Sequence, residues 1–166
     1  MKTKKIVLIA LFITLEIILT RYLSIQTPIV RIGFTFLPIA ISAIMFGPVT
    51  AGITAAIADF VGFMLNPFGV FFPGFTFSAF LTGIIYGLFL YKKEITFVRT
   101  TLAVVLISIF VYLGLDTIWL WILTGDAIYG LLPLRIAKSL VLIPVQIATI
   151  LVTCKYLYRF IKTRIV

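Results

Sequence analysis

Long apolar runs, broken only by short Pro, Gly and charge signals, dominate the chain. Runs of this length without strict alternation of polar and apolar positions predict helices that are apolar on most faces. Six such runs can be read, at about 6–23, 32–46, 49–65, 75–90, 98–123 and 134–157. The first follows the basic start Met1-Lys2-Thr3-Lys4-Lys5. It is too long for the apolar part of a signal peptide, and no small-residue cleavage site follows it. Gly47-Pro48 marks a tight turn between the second and third runs, and Lys92-Lys93-Glu94 closes the fourth. The expectation is one membrane domain spanning 1–166, an all-α bundle of six transmembrane helices.

Composition changes the solvent in which this bundle is read. Of 166 residues, 63% are hydrophobic and 11% charged, with a mean hydropathy of +1.26. A soluble domain of that size keeps too much surface to hide so large an apolar share. The surroundings are therefore lipid, and a multi-pass cell-membrane location is expected. Six spans of about 20 residues each leave no length for a separate soluble domain.

The same letters exclude several chemistries. There is no histidine and a single cysteine, Cys154. Disulfide frameworks, CxxC pairs and His/Cys metal cages are thereby ruled out, and no resident metal or cofactor is expected. No glycine is followed by lysine, so a phosphate-cradling loop for ATP is missing. No nucleophile stands in a recognisable setting. The chain reads as neither an ATPase nor any other enzyme; if it drives uptake, the energy comes from partners or a coupled ion.

Charge sets the orientation. With the N-terminus in the cytoplasm, the inner ends carry Lys2, Lys4, Lys5, Lys92, Lys93, Arg99, Lys155, Arg159, Lys162 and Arg164, 10 of the 14 Lys and Arg. Both termini are expected in the cytoplasm. The net charge of +9 is read as this orienting excess and not as a footprint for nucleic acid.

The four remaining cations, Arg21, Arg31, Arg135 and Lys138, map to the outer half. Arg21 is expected to reach outward to lipid headgroups. Arg31 opens the second run, within Thr27-Pro28-Ile29-Val30-Arg31-Ile32-Gly33-Phe34. Arg135 and Lys138, three residues apart, share a face of the sixth. Cations at this depth are costly unless they reach the headgroups, pair, or line a polar cavity. Arg31, Arg135 and Lys138 are read as a cluster for a carboxylate- or phosphate-bearing solute, with headgroup contact as the alternative.

Three acids lie inside the spans. Asp59 and Asp116 fall in the outer halves of the third and fifth, and Glu16 just past the middle of the first. Each either pairs with an arginine or accepts hydrogen bonds from the amino and ring N–H groups of a bound heterocycle. Trp119, three residues after Asp116, suits a flat aromatic ligand, although an outer aromatic belt also accounts for it and for Trp121. The connection Asn66-Pro67-Phe68-Gly69-Val70-Phe71-Phe72-Pro73-Gly74 is uncharged and cannot be continuous helix. It is read as a lid over an outward-opening pocket, or alternatively as an interfacial anchor. Small residues repeat every four positions at Gly52/Ala56, Ala58/Gly62 and Ala79/Gly83/Gly87, a spacing expected to bring helices of the bundle close together, with a surface for another membrane subunit as the alternative.

Several segments together carry a family resemblance. They are Arg31-Ile-Gly-Phe-Thr-Phe-Leu-Pro38, Met45-Phe-Gly-Pro48 with the small-residue run to Asp59, Pro73-Gly-Phe-Thr-Phe-Ser-Ala79, Leu81-Thr-Gly-Ile-Ile-Tyr-Gly-Leu88, Asp116-Thr-Ile-Trp-Leu120, Leu132-Pro-Leu-Arg-Ile-Ala-Lys138 and Pro144-Val-Gln146. In this order the set resembles the folate-specific substrate-binding (S) components of energy-coupling factor (ECF) vitamin transporters. The resemblance implies a six-helix bundle that binds one vitamin from outside. Its implied partners are a transmembrane coupling subunit and two cytoplasmic ATPases. It also implies a docking pair on the first span, where the family's Ala-x-x-x-Ala is here Ala10-x-x-x-Thr14. Applied to folate, Asp116 or Asp59 would meet the pterin. Phe71, Phe75 and Trp119 would stack, and Arg31, Arg135 and Lys138 would hold the glutamate carboxylates. Two alternatives stand beside this one: an S component for another anionic vitamin or precursor, such as pantothenate or a pterin relative, and an assembly subunit without a ligand.

Overall fold

Two prolines start the central helices, and both stand where a proline costs a helix nothing. The first helical residue has no intrahelical partner for its N–H, and the fixed φ of proline already suits the helix. Pro48 opens α3 (Pro48–Leu65) directly after α2 (Phe36–Phe46), with Gly47 turning the chain at φ 89°. Pro73 likewise opens α4 (Pro73–Leu90), two residues before the expected start. The structure, a computed structural model, describes residues 2–26, 31–67, 69–125 and 128–165.

The remaining elements complete six helical passes. α1 (Lys2–Ile17) runs into a π-helical turn, Ile18–Tyr22. α5 (Phe97–Leu106) continues through a π-helical segment, Ile107–Leu115, into α6 (Asp116–Thr124), so these three make one pass. α7 (Ile128–Ile165) carries on across Pro133 and Pro144. An even number of passes puts the start of α1 and the finish of α7 at one end of the bundle. The opposite end holds the π turn of the first pass, the 66–72 connection and the finish of α6.

The second pass departs from the expected pattern. Helix was expected from about residue 32, but β1 (Ile25–Gln26) and β2 (Arg31–Ile32) pair antiparallel, Ile25 opposite Ile32, and α2 begins only at Phe36. Pairing to the preceding strand takes the backbone groups that a helix would have used. The outcome is an 11-residue helix, about 16 Å long at 1.5 Å per residue.

Small side chains hold the centre. α3 and α4 make the most extensive helix contact in the molecule. A Cβ on Gly83 would lie 2.6 Å from the Gly52 nitrogen, and one on Gly52 would lie 2.9 Å from the Phe80 carbonyl oxygen. The small-residue ladders therefore serve packing inside the bundle. Ala40, Ala43, Ala51, Ala55, Tyr86, Leu90, Ala103, Val104 and Ile107 form a solvent-free core between α2, α3, α4 and α5. Outward positions stay apolar, among them Ile53, Ile57, Phe60, Phe77, Leu102, Phe110, Leu140 and Val141. Among the described residues, four helical stretches are long and apolar enough to cross a membrane: Pro48–Leu65, Pro73–Leu90, Phe97–Thr124 and Leu132–Tyr156.

Candidate functional site

A cavity of about 530 Å³ opens between α1, α2, α3, α4, α6 and α7, at the end that holds the 66–72 connection. That size falls within the roughly 300–1,000 Å³ usual for small-molecule sites.

One wall comes from the first and third passes. A π turn closes hydrogen bonds from i to i+5 instead of i+4, which widens the helix and rotates the residues beyond it. Here the Leu23 N–H donates to the Ile18 carbonyl at 3.0 Å. Thr20 and Arg21, neighbours in sequence, are both buried as a result. Arg21 is only 7% exposed and donates from Nη2 to the Asp59 carbonyl at 3.3 Å and to Asp59 Oδ1 at 3.5 Å. The Thr76 hydroxyl donates to Asp59 Oδ2 at 2.9 Å. The guanidinium also stands over the Phe63 ring, 5.6 Å from its centroid. Arg21 was expected at the headgroups, and the structure corrects that: a local change of helix pitch turns it into the cavity.

The facing wall uses the second π-helical segment. Arg135, on α7, donates from Nη2 to the Tyr112 carbonyl at 2.8 Å and from Nη1 to the Asp116 carbonyl at 3.5 Å. Its Nη2 also lies 3.9 Å from Asp116 Oδ2. Part of the guanidinium is thus committed to clamping the fifth pass against α7. Lys138, one turn further along, borders the cavity with its Nζ 5.7 Å from the Tyr112 ring centroid.

Aromatic rings make the roof. Phe71 meets Phe63 at 5.2 Å and Phe60 at 5.6 Å between centroids. Phe72 meets Phe75 at 6.2 Å and Trp119 at 5.5 Å. The Trp119 indole N–H donates to the Ser78 hydroxyl at 3.2 Å, so this ring is fixed from both sides. Gly74 makes room for it, since a Cβ there would lie 2.6 Å from Trp119 Cδ2.

Of the residues expected at a site, Asp59, Phe71, Phe75, Asp116, Arg135 and Lys138 all border this one cavity, and Trp119 stands behind Phe72. The backbone of Arg31 lies in β2, off the helix where it was expected, and its side chain, like Phe68, is outside the described residues. Ala10 and Thr14 are on the exposed face of α1, where the Thr14 hydroxyl donates to the Ala10 carbonyl at 2.9 Å.

The cavity also gathers residues given little weight in the sequence. Its floor holds Glu16, Thr82, Ser108, Ser139 and Gln146. A signal for α7 was present: Arg135, Lys138, Ser139, Leu142 and Gln146 follow the three-and-four spacing of one helix face in an otherwise apolar run. Glu16 and Thr20 share a face by the same rule. Arg21 gave no such signal, because the normal helical period puts it elsewhere. Among the described residues no cluster of His, Cys, Asp and Glu suited to a metal is found. Buried ion pairs, aromatic faces and hydroxyls equip the site to hold a flat, partly anionic organic molecule.

Comparison with known proteins fits this arrangement. The family model described as ECF-type riboflavin transporter, S component, matches residues 1–162. The chain belongs to the ECF transporter S components. The folate transporter FolT of Clostridium novyi (strain NT) is 49% identical to this S component over 145 residues, 87% of this chain and 84% of that one. FolT of Leuconostoc mesenteroides subsp. mesenteroides is 32% identical over 152 residues, 87% of this chain and 81% of that one. A crystal structure of FolT bound with folic acid superimposes with a TM-score of 0.85 at 37% identity, covering 90% and 91% of the two chains. An S component of a bacterial ECF transporter shares the fold, with a TM-score of 0.62 at 20% identity over 98% and 99%. This S component is thus a helical-bundle, multi-pass protein of the cell membrane and a transport subunit, not an enzyme.

Proposed function

We propose that this S component binds folate in the 530 Å³ cavity and delivers it to an ECF module made of a transmembrane coupling subunit and two cytoplasmic ATPases. The observation that carries the reading is the division of labour around one cavity. Cations (Lys138 and part of Arg135) line one flank, phenylalanines form the roof, and hydroxyls with a carboxylate make the floor. Folate has the matching parts: an anionic glutamate, an aromatic linker and a hydrogen-bonding pterin. Charge-assisted bonds to the glutamate and ring contacts along the linker supply affinity.

The family model is described by riboflavin, but two things support folate for this member. The curated relatives at 49% and 32% identity are folate transporters, and the solved relative at 37% holds folic acid. Riboflavin, by contrast, carries no carboxylate for a cationic flank to hold. With the termini in the cytoplasm, as the distribution of lysine and arginine supports, the 66–72 connection covers an outward-facing mouth. The exposed Ala10–Thr14 face of α1 is then available to the coupling subunit.

Equilibrium binding to detergent-purified protein tests the reading. Folic acid is expected to bind below micromolar concentration and to resist competition by excess riboflavin and pantothenate. Saturable binding of either competitor in its place, or of no vitamin at all, overturns it.

A further inference from the structure

Three carboxylates border the cavity, and two are already engaged. Asp59 takes hydrogen bonds from Arg21 and Thr76, and Asp116 stands beside Arg135. Glu16 differs. It is only 3% exposed and borders the cavity, yet it makes no hydrogen bond or ion pair with any described residue. A carboxyl group desolvated to that degree and unpaired is costly, by several kcal/mol in a membrane protein. A ligand that brought two donors would relieve that cost.

Its position says which part of the ligand. Glu16 lies one turn before Thr20 on α1, on the side away from the 66–72 connection. Gln146, which also lines the cavity and is buried, has an Oε1 with no hydrogen-bond partner among the described residues. Gln146 is eleven residues beyond Arg135 on α7, about 16 Å deeper along the helix at 1.5 Å per residue. Cations therefore stand near the mouth, and unfilled acceptors stand at the floor.

We propose that Glu16 is the specificity-determining residue for the ring of the ligand, accepting two hydrogen bonds from a 2-amino-4-oxopyrimidine edge: one from the exocyclic amino group and one from the adjacent ring N–H. This inference rests on the folate reading and adds the atoms that would enforce it. Two parallel N–H donors match the two oxygens of a carboxylate. The corresponding edge of a flavin presents its ring N–H between two carbonyl oxygens. Seating that edge here would turn at least one carbonyl lone pair against the carboxylate, so the acid that selects a pterin rejects an isoalloxazine. Asp59 and Asp116, held by arginines, position the walls instead.

Three ligands and two variants test this. Folic acid, 2-desamino folic acid (which lacks the exocyclic amino group) and p-aminobenzoylglutamate (which lacks the pterin) are titrated against the unaltered protein, Glu16→Gln and Glu16→Ala. Each variant is checked for monodispersity and thermal unfolding. Glu16→Gln is expected to weaken folic acid roughly 10- to 100-fold and to leave p-aminobenzoylglutamate unchanged. In the unaltered protein, 2-desamino folic acid is expected to lose a similar factor, and in Glu16→Ala that penalty should shrink to under threefold. This second comparison reads the contact from the ligand side and stands even if the variants yield poorly. Equal binding of folic acid and its desamino analogue by the unaltered protein overturns the assignment of Glu16 and leaves the folate reading intact. So does a loss on Glu16→Gln shared equally by p-aminobenzoylglutamate. Failure of the unaltered protein to bind folic acid overturns both.

Discussion

The side chain of Arg21 lies across Gly62: a Cβ built on that glycine would come 3.3 Å from Arg21 Nε and 3.4 Å from Ile17 Cγ1. α3 is kept bare there so that a buried arginine can reach Asp59. Gly62→Ala asks its neighbours to give by a few tenths of an ångström, whereas Gly62→Val cannot be accommodated without moving Arg21. The expected outcome is a loss of folic acid affinity under threefold for the alanine and about tenfold or more for the valine. Isothermal titration on the two purified variants checks it, and equal affinities would detach Arg21 from the site.

Arg135 serves stability as well as the ligand. Its removal leaves the Tyr112 and Asp116 carbonyls without the hydrogen bonds it donates, and takes away the guanidinium 3.9 Å from the Asp116 carboxylate. Breaking a buried pair from one side costs about 3–5 kcal/mol. Arg135→Ala is expected to lower the Tm in detergent by several degrees even without ligand, as well as to lose binding. Arg135→Lys keeps the charge but cannot address two carbonyls at once, so its Tm should fall between the two. An unchanged Tm for Arg135→Ala would show that the clamp carries no load.

The two tryptophans report differently. Trp119 is held between Phe72 and Ser78 at the roof, while Trp121 is 47% exposed on the outer surface. Folic acid is expected to quench intrinsic fluorescence through Trp119. Trp119→Phe should abolish most of the ligand-dependent change, and Trp121→Phe should preserve it. Titrations of both variants, followed by emission, decide between them.

Docking and binding should separate. Ala10 and Thr14 are exposed on α1 and take no part in the cavity. Ala10→Trp with Thr14→Trp is expected to leave folic acid affinity within twofold while preventing co-purification with the coupling subunit and its ATPases. A pull-down from cells that express the whole module reads the second effect. Retained assembly would move the contact to another face.

The glycine seam is the least forgiving part of the fold. A side chain at Gly83 would press on the backbone of Gly52 and Ala51, which has nowhere to go. Gly83→Val is expected to cost about 3 kcal/mol or more and to appear as lost expression or aggregation on size-exclusion chromatography.

Much of the architecture was legible because its signals are local. Apolar runs marked the passes, Gly47-Pro48 marked the turn, and four-residue spacing of small residues marked the α3–α4 contact. Asp59, Asp116, Arg135 and Lys138 were legible as a group because charge inside a span demands an explanation. The late start of α2 was not, since it depends on Arg31–Ile32 pairing with Ile25–Gln26 and not on the apolar pattern. Arg21 was misplaced for a related reason. Extrapolating a regular helix through Ile18–Tyr22 gives the wrong azimuth, and no residue type announces a π turn. Glu16 was visible as an acid, but its lack of a partner shows only once the arginines are seen holding the other two acids.

The contact of α3 with α4 has a mechanical corollary. Backbone touching backbone leaves no sliding freedom, so the two helices travel as one slab. The connection between them leaves α3 at Leu65 and enters α4 at Pro73, so both its ends are fixed to one body, and Gly69 within it stands at φ 78°. If this connection serves as the lid, opening it would part the ring contacts of Phe71 and Phe72 and leave the seam between the two helices untouched.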